Sequence, residues 1–250
     1  TVITVSTNKL NDIKEVSKGK YIIVEYNATL NTSAEIGLPG NPNKVSLEYS
    51  NNPNQGGTGK TQEDHVIVFT YELDTTKVDG NNNKIKLKDA EFKLKNAAGK
   101  WAVLDKGKVS RWLDADADAT VLTSNEDGFF AVTGLDAGTY YLKETKAPAG
   151  YNLPTSEFEI VITATTTNGQ NWTNNTPSAA LTNIEVTAGG TVGTGDVDKG
   201  IAAITVVNNQ GSTLPSTGGM GTTIFYVVGT ILVLAAVVLL ITKKRMHADK

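Results

Sequence analysis

Cysteine is absent from the 250 residues of the chain. That excludes a disulfide scaffold, a thiol nucleophile, an iron–sulfur cluster and a cysteine-ligated zinc site. Histidine is nearly absent too, with only His65 and His247 present. A Ser-His-Asp triad or a histidine-rich metal centre would have to rest on His65, because His247 lies in the terminal tail. No metal site and no cofactor is expected. Excess positive charge is also missing. The formal net charge is −3, and four of the cations, Lys243, Lys244, Arg245 and Lys250, sit in the tail. The remainder is more acidic still, whereas a nucleic-acid partner would need a basic face. Helical periodicity is scarce outside one C-terminal run. Hydrophobic residues make up 39% and charged residues 20%. The rest is rich in Thr, which suits strands, and in Asn and Gly, which suit turns.

The C-terminal end carries the strongest signal. Residues 224–241 read IFYVVGTILVLAAVVLLI without a charge. At ~1.5 Å per residue this is about 27 Å of helix, and Thr222, Thr223 and Thr242 extend it towards a bilayer core of about 30 Å. A transmembrane helix is predicted over 222–242. Lys243, Lys244 and Arg245 follow at once, which places a basic tail, 243–250, in the cytoplasm and the bulk of the chain outside.

Upstream, short runs alternate apolar and polar residues in the strand manner, at 21–30, 44–49, 66–78, 91–94, 129–132, 139–144, 158–163 and 201–207. Turn chemistry separates them, as at Asp79-Gly80-Asn81 and Asp127-Gly128. The fold class expected is all-β, with sandwich modules followed by one C-terminal transmembrane helix. Residues 1–70 read as the C-terminal part of a preceding β-sandwich module, 71–209 as a second module and 210–221 as a linker. A first module this short suggests the C-terminal piece of a longer precursor.

Two weaker signals are set aside. Gly56-Gly57-Thr58-Gly59-Lys60-Thr61 has Asn54 where a phosphate loop needs glycine, and a strand pattern follows where a helix is required. Asp114-Ala115-Asp116-Ala117-Asp118 lacks the later glycine and glutamate of a calcium loop and reads as a solvated acidic turn.

Immediately before the apolar run stands Leu214-Pro215-Ser216-Thr217-Gly218. An LPxTG pentapeptide, a glycine-rich spacer, an apolar span and a basic tail, in that order, resemble the cell-wall sorting signal of Gram-positive surface proteins. The resemblance implies cleavage by a sortase between Thr217 and Gly218. The Thr217 carbonyl would pass through a thioester to an acceptor amine. The span would hold the substrate at the membrane before sorting, and the product would be a cell-wall-anchored protein. Pro215 favours an extended backbone, and Gly218 leaves little bulk at the scissile bond.

A second motif, Tyr140 to Tyr151 in the form YxLxETxAPxGY, resembles the E-box of Cna B-type domains, which have an Ig-like β-sandwich fold. Thr76-Lys77-Val78-Asp79-Gly80 resembles their first strand, Ala90-Glu91-Phe92-Lys93-Leu94 the next, and Ile204 to Asn209 the last. The resemblance implies an intramolecular isopeptide bond between Lys77 and Asn208, with Glu144 as proton shuttle. Asn208 is preferred to Asn209 because it shares a strand face with Ile204 and Val206. This would be a single-turnover self-reaction, and the chain is not expected to be an enzyme. Residues 26–53 resemble the end of a middle pilin domain, with Asn51 or Asn52 as an uncommitted second acceptor.

Taken together, the resemblance is to the backbone subunit of a sortase-assembled pilus. The implied partners are pilus-type and housekeeping sortases, neighbouring pilin subunits and peptidoglycan, with a host surface ligand as a further candidate. No Tyr-Pro-Lys pilin motif occurs. The alternative is a singly wall-anchored adhesin with its binding domain upstream of this segment.

Overall fold

The computed structural model describes residues 2–7, 19, 21–31, 33–52, 54–168, 179–211, 226–236 and 238–239. Sixteen strands are found among them. The N-terminal part holds β1 (Asn41–Val45), β2 (Glu48–Ser50), β3 (Thr58–Lys60) and β4 (Asp64–Val68). They form two separate ribbons, β1 with β4 and β2 with β3. The remaining strands are β5 (Tyr71–Asp79), β6 (Glu91–Asn96), β7 (Trp101–Asp105), β8 (Lys108–Leu113), β9 (Leu122–Thr123), β10 (Phe129–Leu135), β11 (Gly138–Lys146), β12 (Phe158–Thr166), β13 (Leu181–Ala188), β14 (Thr191–Val192), β15 (Thr194–Asp196) and β16 (Ile201–Asn208).

These last twelve strands are joined in the order β14-β13-β12-β11-β6-β7-β8-β10-β5-β16-β15, with β9 on β6. The links β6–β7 and β8–β10 are single register pairs, Lys95 with Trp101 and Lys108 with Thr133. Those thin joins divide the sheet into two layers that fold over a common core. One layer is β14-β13-β12-β11-β6, the other β10-β5-β16-β15. The two ends meet where a β-carbon on Gly195 of β15 would lie against the Ile184 carbonyl of β13. The result is a β-sandwich. Leu73, Phe92, Leu94, Val132, Leu142 and Ile160 are fully enclosed between the layers. Each comes from a strand with period-two burial, which is how one face of a strand fills a core.

The N-terminal part reaches the sandwich through both backbone and side-chain contacts, and Leu38 and Ile67 pack against the core. The Gly37 amide donates to the Thr70 carbonyl at 3.0 Å, and Thr70 Oγ1 donates to the Glu35 carbonyl at 3.1 Å. Gly37 and Gly200 approach so closely that a β-carbon on Gly37 would lie 2.3 Å from the Gly200 nitrogen. Lys108 Nζ donates to the Asn31 and Ala34 carbonyls, each at 3.2 Å.

The structure departs from the sequence pattern in three ways. The alternating run 21–30 is not in a strand among the described residues. Its contact with β1 is through a side chain, Asn43 Nδ2 donating to Tyr26 Oη at 2.7 Å. Alternation alone makes no strand where no neighbour supplies the ladder. The runs 44–49 and 66–78 are each two strands, interrupted at Ser46 and Leu47 and at Phe69 and Thr70. The sequence runs do not include β7, β8 and β13, nor the short strands β3, β9, β14 and β15. β8 and β13 are half polar and show weak apolar alternation.

Residues 226–236 and 238–239 are helical. Among the described residues no helix is long and apolar enough to cross a membrane. The rest of the predicted span 222–242 lies outside the described residues, as does all of the sorting pentapeptide from Leu214 to Gly218.

Candidate functional site

Three polar residues are buried in the sandwich core at one point. Lys77 is fully enclosed, Glu144 is 4% exposed and Asn208 is 2% exposed. Each is placed by strand parity. Lys77 follows Tyr71, Leu73 and Thr75 on the inner face of β5. Asn208 follows Ala202, Ile204 and Val206 on the inner face of β16. Glu144 follows Tyr140 and Leu142 on the inner face of β11. Asn209, one position on, is exposed.

Strands β5 and β16 run parallel, with Lys77 opposite Val206 and Asp79 opposite Asn208. The two-residue offset is about 6.6 Å at ~3.3 Å per residue, a span that an extended lysine side chain bridges. Lys77 Nζ lies 2.5 Å from Asn208 Oδ1, closer than an ordinary amine–carbonyl hydrogen bond. Glu144 comes from the facing layer and touches both. Lys77 Nζ donates to its Oε2 at 3.1 Å, and Asn208 Nδ2 donates to its Oε1 at 2.7 Å. The carboxyl group thus spans the amine and the amide nitrogen.

The surroundings are apolar. The rings of Phe92 and Phe158 stand 5.5 and 5.6 Å from Nζ. Phe92 is directly opposite Glu144 in the β6–β11 ladder. The sequence motifs named the polar triad but gave no role to these two rings. The signal available was position, since Phe92 lies in the second-strand motif and Phe158 opens β12.

Electrostatics follow from this enclosure. Burial pulls the Lys77 amine below its ordinary value, against the opposing attraction of Glu144. Burial likewise raises the Glu144 carboxyl, against the opposing effects of Lys77 and Asn208. A fully charged pair in such a site carries a desolvation penalty of several kcal/mol per ion. The neutral forms, an amine and a carboxylic acid, avoid it. An uncharged amine held against an amide carbonyl is a competent nucleophile, and a protonated carboxyl beside the amide nitrogen is a competent acid.

The other candidates do not gather. Asp114 Oδ1 pairs with Lys100 at 3.3 Å, and Asp116 Oδ2 with Lys143 at 3.8 Å. Among the described residues no group of three or more metal-ligating side chains occurs. His65 is the second residue of β4. Residues Thr58 to Lys60 of the glycine-rich stretch form β3.

Residues 71–176 match the family model of the SpaA prealbumin-like fold domain, and residues 206–247 match that of the LPXTG cell wall anchor motif. The anchor motif marks a cell-surface, wall-anchored protein. A curated relative, the trypsin-resistant surface T6 protein of Streptococcus pyogenes serotype M6, is 27% identical over 97% of this chain and 54% of its own length. The chain therefore spans about half the length of the curated relative it matches. Among solved structures, the group B streptococcus pilus 2b backbone protein is 28% identical, covering 68% of this chain and 54% of that one, with a TM-score of 0.44. The T6 backbone pilin of serotype M6 Streptococcus pyogenes is 22% identical, covering 72% and 45%, with a TM-score of 0.43.

Proposed function

We propose that the chain is part of a structural shaft subunit of a covalently polymerised cell-surface pilus, internally crosslinked by a Lys77–Asn208 isopeptide bond. The observation that carries the crosslink is the buried contact of Lys77, Asn208 and Glu144. The Lys77 Nζ lone pair attacks Cγ of Asn208. Glu144 takes a proton from Nζ and delivers one to Nδ2. The Cγ–Nδ2 bond breaks, ammonia leaves and an amide remains. Glu144 returns to its starting state, but Lys77 and Asn208 are consumed, so the reaction runs once and turns over no substrate. Close placement supplies the effective concentration that such an amide exchange needs.

The polymerisation reading rests on the anchor-motif match and on the likeness to the T6 surface protein. In it, a pilus-type sortase cleaves after Thr217 and transfers the Thr217 carbonyl to an amine of a neighbouring subunit. A housekeeping sortase transfers the same carbonyl to peptidoglycan. The crosslink fits this role because it joins the first and last strands of the sandwich, the two through which a pulled chain enters and leaves.

The test is an immunoblot of cell-wall extracts boiled in detergent, with antibody to this segment. A ladder of very large species that disappears on Thr217→Ala is expected. A narrow band set near one protomer's mass would overturn the shaft reading in favour of a singly anchored adhesin.

A further inference from the structure

Immediately past Asn208 the chain is held by a second polar cluster that the crosslinking chemistry does not use. Asp79, two residues beyond Lys77 and opposite Asn208 in register, is 2% exposed. Its Oδ1 accepts the amides of Asn81 and Asn82 at 2.7 and 2.9 Å. Its Oδ2 accepts the Tyr151 hydroxyl at 2.7 Å and Gln210 Nε2 at 3.3 Å. Gln210 Nε2 also lies 3.4 Å from Tyr151 Oη. The backbone is pinned alongside. The Gly80 amide donates to the Asn208 carbonyl at 2.8 Å, and the Asn152 amide to the Asn209 carbonyl at 3.0 Å. The Gly211 amide donates to the Gly150 carbonyl at 3.3 Å.

Four successive residues, 208 to 211, are thus tied to the end of β5 with the loop after it and to the β11–β12 loop around Tyr151. These ties fix where β16 stops along β5. A parallel strand pair has no hairpin turn to set its register, and a shift of one residue would point Asn208 out of the core. We infer that Asp79, Tyr151 and Gln210 form a register latch whose task is to present the Asn208 amide to Lys77. They are positioning residues for the crosslink and touch none of its reacting atoms. The inference rests on the crosslink reading above.

The test is cell-free synthesis of the full chain in mild detergent, quenched with acid at intervals, with intact mass reporting loss of ammonia. Tyr151→Phe and Asp79→Asn should each slow the loss roughly ten-fold, since an ångström-scale displacement of reacting groups costs about that much or more. Both weaken the Asp79–Tyr151 contact, so the double variant should be slowed by less than the product of the two single effects. In a Glu144→Ala background, which cannot crosslink, Tyr151→Phe should lower the melting temperature by no more than the loss of one hydrogen bond to a carboxylate, too little to account for the slower crosslinking. Wild-type kinetics in both single variants would overturn the latch while leaving the crosslink intact. So would slowing that merely tracks a loss of melting temperature. Absence of ammonia loss from the wild-type chain would instead overturn the crosslink reading itself.

Discussion

Lys77 and Asn208 stand 131 residues apart in sequence, yet Nζ of the one lies 2.5 Å from Oδ1 of the other. They meet because β5 and β16 are parallel neighbours, and because both residues fall on inward positions. Glu144 reaches the pair from the opposite layer, so the contact forms only when both layers have closed. Five expectations follow for the bond and for the backbone around it.

Intact mass spectrometry of the full chain should show a deficit of one ammonia. Glu144→Ala should restore the full mass, because the amine then has no proton acceptor and the leaving amide nitrogen no donor. An undiminished wild-type mass would falsify the bond.

The rate of crosslinking should follow a bell in pH. The Lys77 amine is held below its ordinary value, so its reactive neutral form survives to lower pH than usual, and is lost as pH falls through that lowered value. The Glu144 carboxyl is held above its ordinary value, so its acid form survives to higher pH, and is lost as pH rises through that raised value. The two limbs belong to the coupled pair as a whole. Quenched mass measurements across pH would test this. A rate that climbs steadily with alkali would remove Glu144 as the acid.

Lys77→Met keeps most of the side-chain volume, removes the amine and forbids the bond. By analogy with loop closure in disulfides, it should lower unfolding free energy by roughly 4–5 kcal/mol. Chemical denaturation of the full chain in detergent provides the measurement. An unchanged midpoint would mean that the bond does not form or does not constrain the unfolded chain.

Gly128 has φ of +68°, and a β-carbon there would lie 2.4 Å from the Lys77 carbonyl. Its own carbonyl accepts the Lys77 amide at 2.7 Å. Gly128→Ala should destabilise the fold by about 1–3 kcal/mol through backbone strain and should slow ammonia loss. Equal stability to wild type would show that the loop can retreat without disturbing β5.

The latch should resist acid. Asp79 is held below the ordinary aspartate value, first by the Tyr151 hydroxyl and then by the Asn81 and Asn82 amides. A depressed acid contributes stability above its unfolded value and loses it as pH falls through the folded one. The Gln210 side-chain amide resonance should therefore stay fixed at pH ~5 and move only below about 4, the ordinary range. Tyr151→Phe should shift that movement to higher pH. Movement at the same pH in both would mean that the hydroxyl does not hold the carboxylate.

Much of the sandwich was legible because its strands alternate cleanly. β5, β10, β11, β12 and β16 each show period-two burial in the structure, and each coincides at least in part with a run of alternation in the sequence. Strands whose inward residues are Thr, Ala or single apolar positions left no such trace. β13 is buried at Leu181, Ile184, Val186 and Ala188, a broken rhythm that reads as loop. The triad was found by motif, since a lone lysine, glutamate or asparagine in a strand reads as surface. Its aromatic walls and the Asp79–Tyr151–Gln210 cluster were invisible. Both depend on which strands become neighbours, and spacing along the chain does not carry that.

The close approach of Gly37 and Gly200 bears on where the chain can bend between its N-terminal ribbons and the sandwich. The Gly37 amide donates to the Thr70 carbonyl and the Glu72 amide donates to the Gly200 carbonyl, so backbone lies against backbone at this point. A methyl group added to either glycine would already collide with the other. The two segments therefore have no room to slide past one another there, and bending is displaced to the chain on either side of the contact.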